Sequence, residues 1–286
     1  MKSKKLLVPL LIAIGIIVYN SCKKDSTKTD ENIQNNTPTY NNEQNTSKSA
    51  AKAENIDNDI SNVTEDAKRT NSSYKKFNST LGATITKDTG QIIIDFGSNP
   101  TLCNDGRYRS GKIIITFNGY TFNYTQPGFT RTITFDNYTV DSNKVEGSRT
   151  VISQGIVESN KLKDTIISDF TITTADNKTI LWKSNKTRIW EEGMSTPLNI
   201  SDDVFEISGY ATGRSAEGVN FTVTINTPIT IKISCALLNH TVPIVEGVMT
   251  ISPEGQYPVT INFGDGTCDN FATATIMGYS IPITLK

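Results

Sequence analysis

The chain has 286 residues, with 28 basic and 29 acidic side chains and a single histidine, His240. This near-neutral balance argues against a nucleic-acid-binding protein, which would carry a basic face. One histidine also excludes a metal site built on paired imidazoles. The sequence contains 39 Thr, 34 Ile and 27 Asn residues. Because β-branched residues favour strands and asparagine favours turns, we expect an all-β fold with many turns.

The N-terminus has the pattern of an export signal that ends in a cysteine. Three lysines within the first five residues precede an apolar run over residues 6–18, which is shorter than the roughly 20 residues of a transmembrane helix. The small residue Ser21 then precedes Cys22, although Tyr19 stands where leucine is usual. The order resembles the lipobox of bacterial lipoproteins, in which the cysteine is acylated, with palmitate among the acyl groups, and the chain is cut before it. We predict a signal peptide over residues 1–21 and lipidation of Cys22; the alternative is an ordinary secretory signal with an incidental cysteine.

A polar stretch and a short helix are predicted to follow. Residues 22–49 contain few sizeable apolar side chains, so we expect a disordered tether between the bilayer and the folded domain. Over residues 50–70, apolar side chains recur at helical spacing, which predicts one short amphipathic helix that covers part of a sheet. The apolar stripe consists of Ile56, Ile60, Val63 and Ala67.

From residue 75 to residue 286 the apolar pattern changes to a period of two, which is typical of strands with one buried face. The clearest case is residues 219–225 and 229–235, two alternating runs joined by an Asn-Thr-Pro turn. No helical patterns separate the strands, so βαβ folds are excluded. We predict an antiparallel multi-stranded sheet, arranged as a sandwich, a barrel or a long meander. Mid-strand glycines such as Gly147 and Gly247 predict bulges or bends.

Three cysteines remain if Cys22 carries lipid, and exported proteins usually oxidise cysteines in pairs. Cys235 continues the inward-facing set of its strand, and Cys268 shares parity with the apolar residues that follow it. Both side chains are therefore expected to point into one core. We predict a disulfide between Cys235 and Cys268 that closes a loop of about 33 residues. Cys103, in a loop, is left over.

The sequence shows no constellation of a nucleophile with a base, and His240 is expected to be a solvated turn residue. We therefore predict no catalytic residues, no cofactor and no metal site. Paired carboxylates of a glycan-acting hydrolase stay open, because they need not be close in sequence.

A row of side chains on one strand offers a candidate ligand site. Trp182 and Trp190 lie eight residues apart with Lys186 and Arg188 between them, and the four share one face of an unbroken strand. If the face is exposed, two rings and two cationic donors would suit a glycan chain. The alternative is that both rings belong to the core.

The start of the predicted mature chain, Cys22-Lys23-Lys24-Asp25, and several motifs within residues 92–149 resemble exported Bacteroidetes lipoproteins that carry an all-β domain. The motifs are Asp95-Phe96-Gly97, Asp105-Gly106-Arg107, Arg109-Ser110-Gly111-Lys112 and Phe135-Asp136-Asn137-Tyr138. The resemblance implies attachment to the cell envelope at the outer membrane, in either leaflet, and implies no particular activity. Such chains carry a cysteine where Leu81-Gly82-Ala83 stands here. Its absence fits an unpaired Cys103.

Two function classes remain. The first is a noncatalytic binding or scaffold module, held at a bilayer by its acylated N-terminus, with glycan as candidate ligand and no nucleic-acid partner. The second is an envelope hydrolase whose carboxylates converge only in three dimensions. The lack of a catalytic motif favours the first, while the oligomeric state stays open.

Overall fold

The computed structural model describes residues 41–69, 76–119, 123–196 and 199–285. Within these ranges, fifteen strands form one antiparallel sheet, accompanied by two α-helices and one 3₁₀ turn. Strands account for 56% of these described residues, which confirms the predicted all-β class. In chain order the elements are α1 (Asn41–Arg69), β1 (Lys76–Asn78), β2 (Thr84–Asp88), β3 (Gln91–Asp95), β4 (Thr101–Leu102), β5 (Tyr108–Phe117), β6 (Thr130–Val140), β7 (Asn143–Val157), the 3₁₀ turn (Glu158–Asn160), β8 (Lys161–Thr173), β9 (Thr179–Glu192), β10 (Val204–Arg214), β11 (Asn220–Lys232), α2 (Ile233–Asn239), β12 (Ile244–Pro253), β13 (Val259–Asp265), β14 (Phe271–Ile276) and β15 (Tyr279–Thr284).

The sheet is a meander, in which each strand pairs with its neighbour along the chain. The path runs from β1 through β3 and β5 to β15, with the two-residue β4 paired only to β5. Short connections between alternating runs favour this order, because antiparallel neighbours need only a tight turn. Of the three predicted arrangements, the long meander is the one that the strand order supports.

The sheet curves around helix α1. Side chains of β5, β6, β7, β8 and β9 all bond to the helix, and Asn55 Nδ2 donates to the Leu285 carbonyl beyond β15 at 3.4 Å. In a flat sheet, β5 and β9 would lie about 19 Å apart, at roughly 4.8 Å per strand. A helix is only about 10–12 Å wide, so these strands reach it because the sheet bends.

Helix α1 is longer than predicted, and the predicted end of the tether at residue 49 is wrong. Residues 41–49 are helical, and Thr46, Ser47 and Ser49 are buried. The prediction of a tether assumed that packing needs large apolar side chains, whereas small polar side chains fill the space between this part of α1 and the sheet. The Ser49 hydroxyl, for example, accepts a hydrogen bond from the Ala216 amide at 3.3 Å. The predicted apolar stripe of the helix is buried, at 0–2% exposure.

Bulges bend the strands where glycine was noted. The pairing of β12 with β13 shifts register between Glu246 and Val248, and Gly247 between them has φ +117°. A Cβ atom at Gly247 would lie 2.6 Å from the Pro228 carbonyl oxygen of β11. Only glycine fits this close approach without displacing the neighbouring backbone.

A disulfide joins Cys235 to Cys268, which is the predicted pairing, and Cys103 is a free, buried cysteine. Cys235 lies in the first turn of α2, however, and not in a strand as predicted. That helix ends at His240, an exposed residue with φ +55°.

The predicted signal peptide, the lipidation site Cys22 and the tether up to residue 40 lie outside the described residues. None of the helices in the described ranges is both long and apolar enough to cross a bilayer.

Candidate functional site: an enclosed polar helix and the cavity beside it

The predicted ligand face on β9 is wrong, because it points into the core. Trp182 and Trp190 are 0% and 2% exposed, and Lys186 and Arg188 are 2% and 3% exposed. The four side chains do share one face, as predicted, but that face lies against α1. Burial at this level removes both rings and both cations from any ligand in solvent.

The two cations of this row bind acidic side chains of the helix instead. Lys186 Nζ lies 2.8 Å from Glu54 Oε1 and 2.7 Å from Asp57 Oδ2. Arg188 Nη2 lies 2.7 Å from Glu65 Oε1 and also pairs with Asp164 of β8. Cations on alternate positions of one strand therefore match acids spaced along the helix.

Asp57 is the centre of the helix–sheet contact. Its carboxylate accepts hydrogen bonds from the Ser168 hydroxyl at 2.7 Å, the Trp182 indole at 3.2 Å and the Ser184 hydroxyl at 3.0 Å. Arg149 donates to the Asp57 backbone carbonyl at 2.7 Å. The carboxylate and backbone carbonyl of this one residue thus join strands β7, β8 and β9 to a single turn of α1.

A second group of charges surrounds Asp59. Arg109 Nη2 lies 2.5 Å from Asp59 Oδ1 and 2.6 Å from Asp105 Oδ2, while Arg107 Nη1 lies 3.1 Å from Asp59. The Tyr138 hydroxyl donates to the other oxygen of Asp59 at 3.3 Å. This group fixes the loop before β5 to the helix.

The surrounding cations keep Asp57 and Asp59 of the helix ionised. Burial alone would raise the pKa of Asp57, but Lys186 and Arg149 outweigh burial and hold that pKa well below its usual range. Arg107 and Arg109 likewise outweigh burial and lower the pKa of Asp59. Both carboxylates are therefore acceptors only at neutral pH, and neither carries a proton to donate.

The network also bears on the hydrolase reading. Carboxylates do converge, as Asp59 and Asp105 share one guanidinium nitrogen and Glu65 and Asp164 share another. A glycosidase needs one carboxyl that holds a proton and a gap where substrate enters. Here each pair has a cation between its members and all four residues are buried, so they pack the helix rather than face a substrate.

One stripe of α1 is left open by the sheet. From residue 46 to residue 67, the exposed and half-exposed positions all fall on one face of the helix, and its other faces are buried. The stripe consists of Gln44, Lys48, Ala51, Lys52, Asn55 and Asn62.

The open stripe lines a cavity of about 800 Å³, which lies within the usual size range of small-molecule sites. One wall is apolar and comes from β15 and the segment after α2. Its side chains are Val242, Pro243, Ile281, Ile283 and Leu285. The opposite wall is polar, where Lys48 and Lys52 of the stripe lie with Arg107 and Asp141.

The polar groups of the cavity differ in how well they are paired. Arg107 is neutralised by Asp59 and by Asp141, whose Oδ2 lies 2.8 Å from Arg107 Nε. Among the described residues, the polar partner of Lys52 is the neutral Asn143 amide oxygen, at 3.5 Å. Asn62 Oδ1 is buried and has no hydrogen-bond partner among the described residues. Lys48 and Lys52 are therefore available to a bound molecule, since neither is neutralised by a described acid.

Sequence reasoning missed both the polar network and the cavity. The available signal was the placement of basic residues on inward-facing parity, such as Arg131 two residues before Ile133 and Arg149 two before Val151. Cations on a core face require buried acids opposite them, and residues 53–67 of α1 carry five acidic and no basic side chains. The cavity left no such signal, since it forms where the last strand of the sheet lies beside a helix more than 200 residues earlier in the chain.

Comparison of the chain with known protein families, curated proteins and solved structures finds no match. Among the described residues, no three His, Cys, Asp or Glu side chains are arranged to hold a metal ion.

Proposed function

We propose that the protein is a lipid-anchored envelope lipoprotein whose β domain is a noncatalytic binding module, with its ligand in the cavity between α1 and β15. The observation that carries the binding role is the open stripe of a helix that is otherwise buried. A sheet that encloses the rest of α1 but leaves this face to a cavity of about 800 Å³ provides a preformed site.

The described carboxylates support binding over hydrolysis. In the cavity wall, Asp59, Asp105 and Asp141 are each paired with an arginine. A general acid would need a carboxyl whose pKa is raised, whereas the pKa of Asp59 is lowered by Arg107 and Arg109 in spite of its burial.

The binding role is tested by filling the cavity. Ile283 lies on its apolar wall, so Ile283→Trp should occupy the space that a ligand needs. Native mass spectrometry of the protein purified from its own envelope should show a noncovalent small molecule on the wild type and none on Ile283→Trp.

The matched control is Thr273→Trp, which adds the same ring to the exposed face of the adjacent strand β14. This variant should keep the adduct. A wild-type protein without any adduct, or an Ile283→Trp protein that retains it, would contradict the binding role.

The anchor is tested separately, by Cys22→Ala. Loss of the acyl chains removes about 0.8 kcal/mol per buried methylene, so we expect the variant to move from the membrane fraction to the soluble fraction. A variant that still sediments with membranes would show that the cysteine is not the anchor.

A further inference from the structure

We infer that the ligand of this cavity is an anionic amphiphile, a single aliphatic chain that ends in a carboxylate or phosphate. The inference rests on the proposed binding role and adds the chemical class of the ligand. It follows from an uncompensated positive charge at one wall and an aliphatic surface at the other.

The positive charge comes from Lys48 and Lys52. They are one helical turn apart on the open stripe, so their ammonium groups serve the same side of the cavity. Neither forms an ion pair within the described part of the chain, whereas Arg107 beside them has two acidic partners. An anionic group between the two lysines would supply the missing counter-charge through charge-assisted hydrogen bonds.

The aliphatic surface comes mainly from β15. Ile281, Ile283 and Leu285 alternate along its inner face and line the cavity, spanning about 13 Å at roughly 3.3 Å per residue. Val242 and Pro243 extend this wall. Each side chain is aliphatic, and burying a chain against them is favourable by about 25 cal/mol per Å² of apolar surface removed from water.

Two other ligand classes fit less well. No Trp, Tyr or Phe is among the described residues that line the cavity, so it lacks the rings on which sugars and flat aromatic ligands stack. An extended peptide added to β15 would meet Pro282. The Leu285 amide donates to Asn270, and by alternation position 282 faces away from β14, where proline provides no N–H for a new strand.

The test compares two ligands that differ only in charge. The full chain with Cys22→Ala, which lacks its own acyl group, is titrated calorimetrically with palmitate and with hexadecanol. We expect palmitate to bind more tightly, and Lys48→Met/Lys52→Met to weaken palmitate roughly 10- to 100-fold while hexadecanol is unchanged. Lys183→Met, at an exposed lysine on β9, is the control and should change neither.

Titration with dodecyl phosphate separates a carboxylate ligand from a phosphate ligand, and tighter binding of either anion than of hexadecanol supports the inference. Equal binding of palmitate and hexadecanol, both abolished by Ile283→Trp, would overturn the anionic class and leave the binding role intact. If Ile283→Trp still bound palmitate, the assignment of the ligand site to this cavity would be wrong. Thermal unfolding of each variant, with and without dithiothreitol, verifies that the domain is folded.

Discussion

Two faces of the same helix have opposite fates in this protein. On the enclosed side, Asp57 and Glu54 contact Lys186 within 2.8 Å, and no solvent reaches them. On the open side, Lys48 and Lys52 extend into a cavity without an acidic partner among the described residues. The comparison teaches that a charged helix can be a core element where the sheet supplies counter-charges, and a ligand surface where the sheet does not.

The largest loss of stability should come from removing the charge of Asp57, at the centre of the contact between α1 and the sheet. Asp57→Asn removes the charge but keeps the volume, which leaves Lys186 and Arg149 buried with less compensation. Loss of one partner from a buried charge pair typically costs about 3–5 kcal/mol, so we expect a drop of that order in the free energy of unfolding, measured in urea.

The matched control for that variant is Glu43→Gln, the same change of carboxylate to amide in the first turn of α1. It should shift stability by less than about 1 kcal/mol. Equal losses in the two variants would mean that the buried network does not stabilise the fold.

Low pH should cause part of the stability loss expected for Asp57→Asn in the wild-type protein as well. The folded-state pKa values of Asp57 and Asp59 lie below the ordinary value of 3.8, because nearby cations outweigh their burial. Their stabilisation is therefore complete well above pH 3.8 and is lost as the pH falls through 3.8 towards the lowered folded-state pKa values. Urea midpoints measured at pH 7, 4 and 3 test this.

The same titration sharpens the assignment to Asp57. Asp57→Asn should lose less stability between pH 4 and pH 3 than the wild type does, since one of the two groups no longer titrates. Parallel pH profiles of the two proteins would place the acid sensitivity elsewhere in the chain.

The smallest effect should come from the open side. Lys48→Ala and Lys52→Ala remove exposed side chains that form no ion pair with any described residue, and alanine favours a helix. We expect each variant to remain within about 0.5 kcal/mol of the wild type. A loss above about 1.5 kcal/mol in either would show that these lysines hold the fold rather than face a ligand.

The strands of the sheet were predictable because the alternation of apolar and polar residues is a local pattern in the sequence. Alternation along residues 219–225 reports a buried face directly, and the stripe from Ile56 to Ala67 reports the apolar side of α1. The burial of the remaining helix faces was not predictable in this way. Asp57 is a charged residue, and it is buried only because strands more than 90 residues away in the sequence cover it. Trp182 shows the same limit of local patterns. Alternation along β9 predicted that Trp182 and Trp190 share one face of the strand, but it did not predict that this face is the one covered by the helix.

The proposed site was still less accessible to sequence reasoning. The sequence predicts a tether at Lys48, and it gives no sign that Ile283 differs from any other apolar strand residue. They come together because β15, at the end of the meander, lies beside the helix that precedes the first strand. No local pattern encodes the meeting of two ends of a chain.

The distance along the chain between the helix and its partners also sets a time order. Lys186 follows Glu54 by 132 residues, which a ribosome adds in roughly 7–26 s. During that interval α1 is a polar segment without counter-charges, and an isolated helix of such composition is marginal in water. We therefore expect α1, the earliest of the described elements to be synthesised, to be among the last to become ordered, because the strands that enclose it are made later.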